Sequence, residues 1–426
     1  MGSSRPSISP SAGRADARPA LRRHDASLYI VASGLGGLGL GIAIFYLNFL
    51  YRALGFDARA IGVLGGAQAL GALAGAVPAA MLPRRMPRRN AILSGGLITG
   101  IGVIGILTQS TLPAMFVAAA LTGFGGIIVA SSGSALVADA TRGFDRPRMF
   151  GNQIALGDLA SFAAISIAGL LASPVGQWLG RAENDALTIR AVIAIGGLLA
   201  IASAVPIIFV RSAPVAAGAL DAPHRRSLLL RFIVIELALG FGAGSFLPFA
   251  NLFFTDRFGL AIAGVGFAIG ALSIAGSVGA ILNGRLVVSR LSPVMAMVVP
   301  LFVSLPFALL AAVAGQPVLA WVALAARAAL MHAAVPNITA LEVSSFAPAE
   351  RAGTVAILAI SWNGASAAGA ALSGVARAEF GVAGYTGNLV TLLVSYAAAG
   401  VLTLLFFHAH EPRGDAAAML PADSLR

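Results

Sequence analysis

The sequence contains no cysteine, and all 28 of its basic residues are arginine. Without cysteine the chain can form no disulfide, carry out no thiol chemistry and hold no metal through thiolates. Charged residues make up only 11% of the chain and hydrophobic residues 58%, whereas soluble globular domains have about 25% and 45–50%. A mean hydropathy of +0.89 over 426 residues excludes a single soluble core. The composition therefore predicts an integral membrane protein.

Several signatures of enzymes are also missing. No G-x-x-x-x-G-K loop is available to cradle phosphates, so ATP-driven transport by this chain alone is not expected. Neither HExxH nor a paired Cys/His metal cluster occurs, and GxSxG is absent as well. We therefore expect a protein that is not an enzyme and that binds no cofactor and no metal.

Twelve apolar runs can be drawn along the chain. Each has about 20 residues or more, which is enough to cross a hydrocarbon core of about 30 Å. The runs are continuously apolar and do not alternate with a two-residue period, so they predict helices and not a barrel. The runs start near Leu28, Ala60, Asn90, Pro113, Asn152, Leu187, Leu228, Leu260, Pro293, Pro317, Gly353 and Tyr385. The predicted fold class is an all-α polytopic membrane protein with twelve transmembrane helices in two six-helix bundles.

A polar stretch divides the runs into two sets of six. The segment RSAPVAAGALDAPHRR, from Arg211 to Arg226, contains two prolines and a cluster of charges, which is typical of a linker. The N-terminal tail has no apolar core of its own and is no signal peptide. Its serines and arginines are compatible with an organellar transit peptide, but we favour a disordered cytoplasmic tail. The predicted parts are a tail (1–26), a bundle (27–211), the linker (212–227), a second bundle (228–410) and a second tail (411–426).

The arginines predict the orientation of the chain in the membrane. If the N-terminus is cytoplasmic, 21 arginines fall in inside segments, 6 fall in outside segments, and Arg327 lies within a span. The positive-inside rule then favours two cytoplasmic termini. The net charge of +11 follows from this topology and does not indicate binding to nucleic acid. We expect a multi-pass protein of the bacterial cytoplasmic (inner) membrane.

One segment of the sequence occurs twice. LNFLYRALGFDARAIG, from Leu47, resembles ANLFFTDRFGLAIAGVG, from Ala250, and this places Asn48 and Asn251 203 positions apart. The same separation relates two further pairs, Asp139 with Glu342 and Arg148 with Arg351. Six helices have therefore been duplicated with the same polarity, as in transporters whose halves are related by an axis along the membrane normal. Asn48 and Asn251 are predicted either to cap helix ends or to contact substrate.

With these features the chain, from about Ser27 to Phe407, resembles the major facilitator superfamily. The loop AMLPRRMPRRNAIL, from Ala80, is similar to the family's basic loop signature at Arg85, Arg88 and Arg89, although Arg84 stands where an aspartate is usual. The stretch GFGAGSFLPFANLFF in span seven is similar to a Gly-rich stretch of many bacterial members. The resemblance implies alternating access about a central cavity lined by spans seven and ten. It also implies a cytoplasmic gate of those three arginines and two acid–Arg pairs, Asp139 with Arg148 and Glu342 with Arg351.

Ionisable residues inside the spans are the strongest candidates for a site, since each costs about 2.5–3.5 kcal/mol on insertion scales. They are Asp158, Glu236, Arg327 and His332. Counting along the helices places Glu236 and Arg327 at comparable depth, so we expect them to neutralise each other, as a functional centre or as a structural ion pair. Asp158 faces either the inner vestibule or a site. His332 is either a hydrogen-bonded core residue or a proton carrier.

The function predicted is secondary active transport of a small organic solute, as proton-coupled efflux. Span one contains no acid, which keeps a proton-independent facilitator or uptake carrier open as an alternative. A non-transporting membrane sensor on the same scaffold is the other alternative. The expected partners are a small-molecule substrate, protons and the lipid bilayer, and the chain is expected to act as a monomer.

Overall fold

The structure is a computed structural model, and it describes residues 23–140, 145–211, 226–283, 291–346 and 350–407. Within these ranges twelve helices are long and apolar enough to cross a membrane, which confirms the predicted fold class. The whole predicted C-terminal tail and most of the predicted N-terminal tail and linker lie outside the described residues, whereas residues 23–26 of the predicted N-terminal tail are helical.

The helices follow the predicted spans closely. They are α1 (Arg23–Ala53), α2 (Ala58–Arg85), α3 (Arg88–Thr108), α4 (Leu112–Ala140), α5 (Asp145–Leu179), α6 (Ala186–Ala202), α7a (Arg226–Phe246), α7b (Ala250–Phe258), α8 (Ile262–Leu282), α9 (Pro293–Val313), α10 (Pro317–Ser344), α11 (Arg351–Phe380) and α12 (Ala383–Phe407). The largest difference is α5, which begins at Asp145 and not near Asn152, because its first turns are polar and carry no hydropathy signal. A short helix, Ala204–Ile208, follows α6.

Local sequence explains where several helices begin and end. The Asp57 carboxylate accepts a hydrogen bond from the Ala60 N–H at the start of α2. Asp185 caps α6 in the same way through the Leu187 N–H, and this hydrogen bond holds the pKa of the Asp185 carboxyl below its ordinary value. Gly259 ends α7b with a φ of 66°, a left-handed conformation that glycine adopts without steric cost.

The seventh span is interrupted in the middle of the second copy of the repeat. A 3₁₀ turn, Leu247–Phe249, separates α7a from α7b. Pro248 has no N–H to donate to the preceding turn, so the α-helical hydrogen-bond ladder stops here. The interruption frees the Pro248 carbonyl, which accepts a hydrogen bond from the other half of the protein.

We call α1–α6 the N half and α7a–α12 the C half. The proximal side is the end at which α1 begins and α12 ends, and the distal side is the opposite end, where α1 is joined to α2. The two halves meet along two helix pairs, α2 with α11 and α5 with α8.

The outer surface of the helices is apolar. Leu97, Leu198 and Leu405 are between 67% and 71% exposed. Large apolar side chains at such exposure along whole helices face lipid and not water. The chain is therefore a multi-pass membrane protein.

Candidate functional site

The two asparagines of the repeat meet each other across the halves. Asn48 donates from Nδ2 to the Oδ1 of Asn251 over 2.9 Å and to the Pro248 carbonyl over 2.7 Å. Asn251 donates back from its own Nδ2 to the Phe45 carbonyl over 2.9 Å. Both side chains are buried. Equivalent positions of the two copies therefore form one reciprocal contact, which joins α1 to α7b.

An ion pair lies one turn farther toward the distal surface. Arg52 contacts Asp256 through two parallel hydrogen bonds of 2.7 and 2.8 Å, the bidentate geometry that a guanidinium forms with a carboxylate. Tyr385 donates its hydroxyl to the same carboxylate over 2.7 Å. A second ion pair, Arg59 with Glu379, joins α2 to α11. The two ion pairs bind the N half to the C half, and the Tyr385 hydroxyl supports Asp256 from within the C half.

Glycines let the helices of the two halves touch at the same level. A Cβ placed on Gly62 of α2 would lie 2.6 Å from the Cα of Gly374 in α11. A Cβ on Gly266 of α8 would lie 2.8 Å from the Cα of Gly169 in α5. Backbones approach this closely only where side chains are absent. The distal side of the protein is closed.

A cavity of about 360 Å³ lies beside this closure, lined in part by Arg52, Phe56, Ile61, Asp256, Arg377 and Tyr385. Arg377 is buried, and its guanidinium carbon lies 4.1 Å from the centre of the Phe249 ring. Sequence reasoning treated Arg377 only as an outside arginine. It also overlooked Asp256, although the complementary charges of Arg52 and Asp256 in the two copies of the repeat could have predicted their contact.

Arg327 lies in the interior of the C half, about 15 Å along α10 from its distal end. The side chain is only 4% exposed, and its guanidinium carbon lies 4.9 Å from the centre of the Tyr396 ring of α12. Its Nε and Nη2 atoms have no hydrogen-bond partner among the residues that the structure describes. Arg327 is thus a buried cation held by an aromatic face, with donors available to another group.

The expected ion pair between Glu236 and Arg327 is not formed. Among the described residues the carboxyl of Glu236 lies against the carboxyl of Glu342 instead. Glu342 is 15 residues beyond Arg327 on α10, which is about 22 Å. The expectation of equal depth was wrong because it measured both helices from a common membrane surface, whereas their ends lie at different levels.

The residues of the predicted gate are arranged differently from the expected pairs. Asp139 contacts Arg88, with 3.1 Å between Oδ2 and Nε, while the side chain of its predicted partner Arg148 lies outside the described residues. Arg351 donates from Nε to the Phe346 carbonyl over 3.2 Å and does not pair with Glu342. Arg351, the first residue of α11, therefore contacts the backbone just beyond the end of α10.

The other two arginines of the predicted gate lie at the same end of the bundle. Arg85 is exposed, and Arg89 donates to the Ile208 carbonyl over 3.4 Å. Their roles in a gate remain predictions.

The two other ionisable residues predicted inside the spans are His332 and Asp158, and no described contact joins them to Glu236, Glu342 or Arg327. His332 is exposed, and its Nδ1 lies 2.9 Å from the Ala328 carbonyl of its own helix. Its ring lies over Gly276 of α8, where an added Cβ would come within 2.7 Å of Nδ1. The side chain of Asp158 lies outside the described residues.

Sequence reasoning also missed a buried amide pair in the C half. Asn337 of α10 donates to the Oδ1 of Asn283 over 2.9 Å and to the Ala296 carbonyl over 2.9 Å. Polar side chains in a membrane interior that join three helices in this way stabilise their packing. Asparagine inside an apolar run was the signal that could have identified both residues.

Comparison with known proteins agrees with this fold. The family model of the Major Facilitator Superfamily matches residues 29–370. A bacterial homologue of the human lysosomal transporter Spinster, solved in an inward-facing and occupied conformation, has a TM-score of 0.73 at 15% identity, covering 89% of this chain and 95% of that chain. A mutant of the nucleoside transporter NupG has a TM-score of 0.70 at 16% identity, covering 91% of this chain and 100% of that chain.

A third structure is more distant. A variant of the E. coli fucose:proton symporter FucP has a TM-score of 0.63 at 12% identity, covering 89% of this chain and 98% of that chain. At these identities the structures show the fold alone. No curated protein matches the sequence.

The family match confirms the resemblance drawn from the repeat and the loop signature. The matched family is a family of transporters, which confirms the expectation that the chain is not an enzyme. Because the family model covers most of the chain, the protein belongs to the Major Facilitator Superfamily.

Proposed function

We propose that this protein is a secondary carrier that moves a small organic solute by rocking its two halves about a central site. The observation that carries the proposal is the reciprocal contact of Asn48 with Asn251. A contact between equivalent positions of two duplicated halves can break and re-form without any change inside either half. It therefore acts as a closure on one side of an alternating-access cycle.

The substrate site of this carrier lies around Arg327. The depth of Arg327 at the middle of α10 and its two unpartnered nitrogens support the role, because a buried guanidinium binds carboxylate, phosphate or carbonyl oxygens strongly. Glu236, Asp158 and His332 are proposed to contribute to coupling. We propose efflux driven by protons, with a proton-independent facilitator or uptake carrier as the alternative.

The proposed topology places both termini and the proximal side in the cytoplasm of a bacterial inner membrane. Alkaline phosphatase fused after Gln316, at the distal end of α10, should be active, and the same enzyme fused after Arg88 should be inactive. The physical reason is the excess of arginine on the proximal side. Active fusions after Arg88 together with inactive fusions after Gln316 would invert the topology.

Replacing Asn48 or Asn251 with alanine should open the distal side more often. Each replacement removes hydrogen bonds between the halves and leaves buried partners unsatisfied, at a cost of about 1–3 kcal/mol to the closed state. The cysteine-free chain allows Ile61→Cys, which lies in the distal cavity and is buried in the closed state, to report opening by its labelling rate. We expect the labelling to rise about 5- to 150-fold.

Asn388→Ala is the matched control, because Asn388 is equally buried but donates to Ser373 within the C half. It should lower the melting temperature without changing the labelling of Ile61→Cys. The double replacement of Asn48 and Asn251 should have less effect than the sum of the two single replacements, since one of the three hydrogen bonds is shared by both side chains. Additive effects, or equal labelling in all variants, would contradict a shared closure.

A ligand screen tests transport itself. Purified protein is screened by thermal shift against metabolites and drugs across a range of pH, and binders are then tested for uptake into proteoliposomes. A carrier should accumulate or exchange a ligand that stabilises it. A ligand that binds but never crosses the membrane would support the sensor alternative and contradict the proposal.

A further inference from the structure

The residues Glu236 and Glu342 lie on facing stripes of two helices. On α7a, Phe232 and Glu236 are four residues apart and share one helix face. Glu342 lies in the last turn of α10, and Phe346 follows two residues after that helix ends. The rings of Phe232 and Phe346 have their centroids 6.0 Å apart. This aromatic contact independently brings the two faces together, so that the two carboxyl groups one turn farther on meet each other.

Both carboxyl groups are removed from water. Glu236 is 9% exposed and Glu342 is 8% exposed, and within the described part of the chain the Oε1 atom of Glu342 has no hydrogen-bond partner. An ionised carboxylate can only accept hydrogen bonds. Two ionised carboxylates therefore repel each other at contact, whereas a single proton between them supplies a donor.

The positive charges near the pair that the structure describes are directed elsewhere. Arg351 donates to the Phe346 carbonyl, and Arg231 donates to the Phe406 carbonyl and faces the Phe406 ring. On α10, His332 is ten residues away and Arg327 fifteen. Glu350, which precedes α11, is buried and has contacts of its own. The described residues of α8, α9 and α12 that pack around these helices include no charged side chain.

We propose that Glu236 and Glu342 form a single proton-binding site, in which the two carboxyl groups share one proton. The arrangement follows the general rule that like charges in one site cannot both ionise. Because α7a and α10 belong to the same half, rocking of the halves leaves the pair together. The site can therefore keep its proton through a change of state and exchange it where the pair meets water.

The proton can be detected directly by infrared spectroscopy of the purified wild-type protein. A buried carboxylic acid has a C=O stretching band separate from those of carboxylate and amide groups, and the band shifts in deuterium oxide. At neutral pH we expect one such band, which Glu236→Gln with Glu342→Gln abolishes. Glu183→Gln, in the loop before α6, should leave the band unchanged and serves as the matched control.

Single replacements test whether the proton is shared. If both carboxyls hold the same proton, Glu236→Gln and Glu342→Gln each alter the same band, and their difference spectra do not add up to that of the double variant. Additive spectra would show two independent acids and overturn the proposal. If a glutamine variant fails to fold, the pH and deuterium dependence of the wild-type band remains decisive, because a wild type with no acid band also overturns it.

Sodium and transport are tested separately from the proton. A band that vanishes when sodium replaces choline in the buffer would assign the site to an alkali cation and overturn the proposal. A role in coupling rests on the proposed function, and it predicts that labelling of Ile61→Cys, relative to the labelling of the same cysteine in the unfolded chain at each pH, changes with pH when both glutamates are present but not in the double glutamine variant. Labelling without pH dependence, with the acid band present, would contradict coupling while the proton site stands.

Discussion

Leucine at position 62 should hold the distal side of the protein open. Gly62 touches Gly374 of the opposite half, where even a Cβ would come within 2.6 Å of the backbone. Overpacking of this kind costs about 1–3 kcal/mol. Because the cost falls on the closed state alone, the ratio of open to closed molecules should rise about 5- to 150-fold. The measurement is the labelling rate of Ile61→Cys, with transport expected to fall.

Two other glycines provide matched controls for this substitution. Gly71 lies on the same helix but touches Ala120 within the N half, where a Cβ would come within 1.8 Å of the carbonyl oxygen. Gly71→Leu should therefore lower folding yield and melting temperature without selective opening. Gly100 has open space around it, so Gly100→Leu should change neither property. If Gly62→Leu lowers the melting temperature as Gly71→Leu does and labelling does not rise, the contact of Gly62 with Gly374 serves folding and not the opening and closing of the distal side.

Arg327→Met should make the protein more stable and abolish its transport. The guanidinium is buried and forms no ion pair with the described residues, and a charge at this depth costs about 2.5–3.5 kcal/mol on insertion scales. The loss of the contact with Tyr396 destabilises the variant by about 0.5–2 kcal/mol, which offsets part of the stabilisation gained by removing the buried charge. The net stabilisation of about 0.5–3 kcal/mol should raise the melting temperature by about 1–6 °C. Ligand-induced stabilisation and transport should both be lost.

A structural role for Arg327 predicts the opposite change in stability. Removing one member of a buried ion pair leaves the other charge uncompensated and lowers the melting temperature strongly. Arg327→Lys preserves the charge but not the planar fork, so it should retain weak binding of an anionic or carbonyl-bearing substrate. Because Glu236 is distant, Glu236→Gln combined with Arg327→Met should show additive effects on stability. A lower melting temperature, or strong coupling between these two replacements, would restore the ion-pair interpretation.

The sequence was sufficient for the fold because the bilayer limits what an apolar chain can do. Every backbone polar group inside a membrane must be satisfied within its own segment, so long apolar runs become helices. The predicted spans and helices consequently agree within a few residues at most ends. The exception, the start of α5 at Asp145, lies where the helix extends beyond the apolar run.

The repeat was also recognised in the sequence, but the contact between its two copies was not predicted. The separation of Asn48 from Asn251 indicated duplication, and it left helix caps and substrate contacts as the alternatives. The structure shows a third arrangement, in which each asparagine binds the other copy. Sequence separation reports which positions are equivalent, whereas contact across a pseudo-symmetry axis depends on how the two copies are docked.

The sequence by itself determined the twelve helices and the duplication. It also identified the few ionisable residues that lie inside the membrane spans, away from water. Only the tertiary structure decided which of those charges meet. Glu236 faces Glu342 and not Arg327, and Asp256 holds Arg52. The physical reason is that the insertion energy depends on each side chain alone, so it can be estimated from the sequence one residue at a time. Contact between two charges depends instead on the tilt, rotation and level of the helices that carry them. Those are set by close packing of small residues along the whole length of two helices.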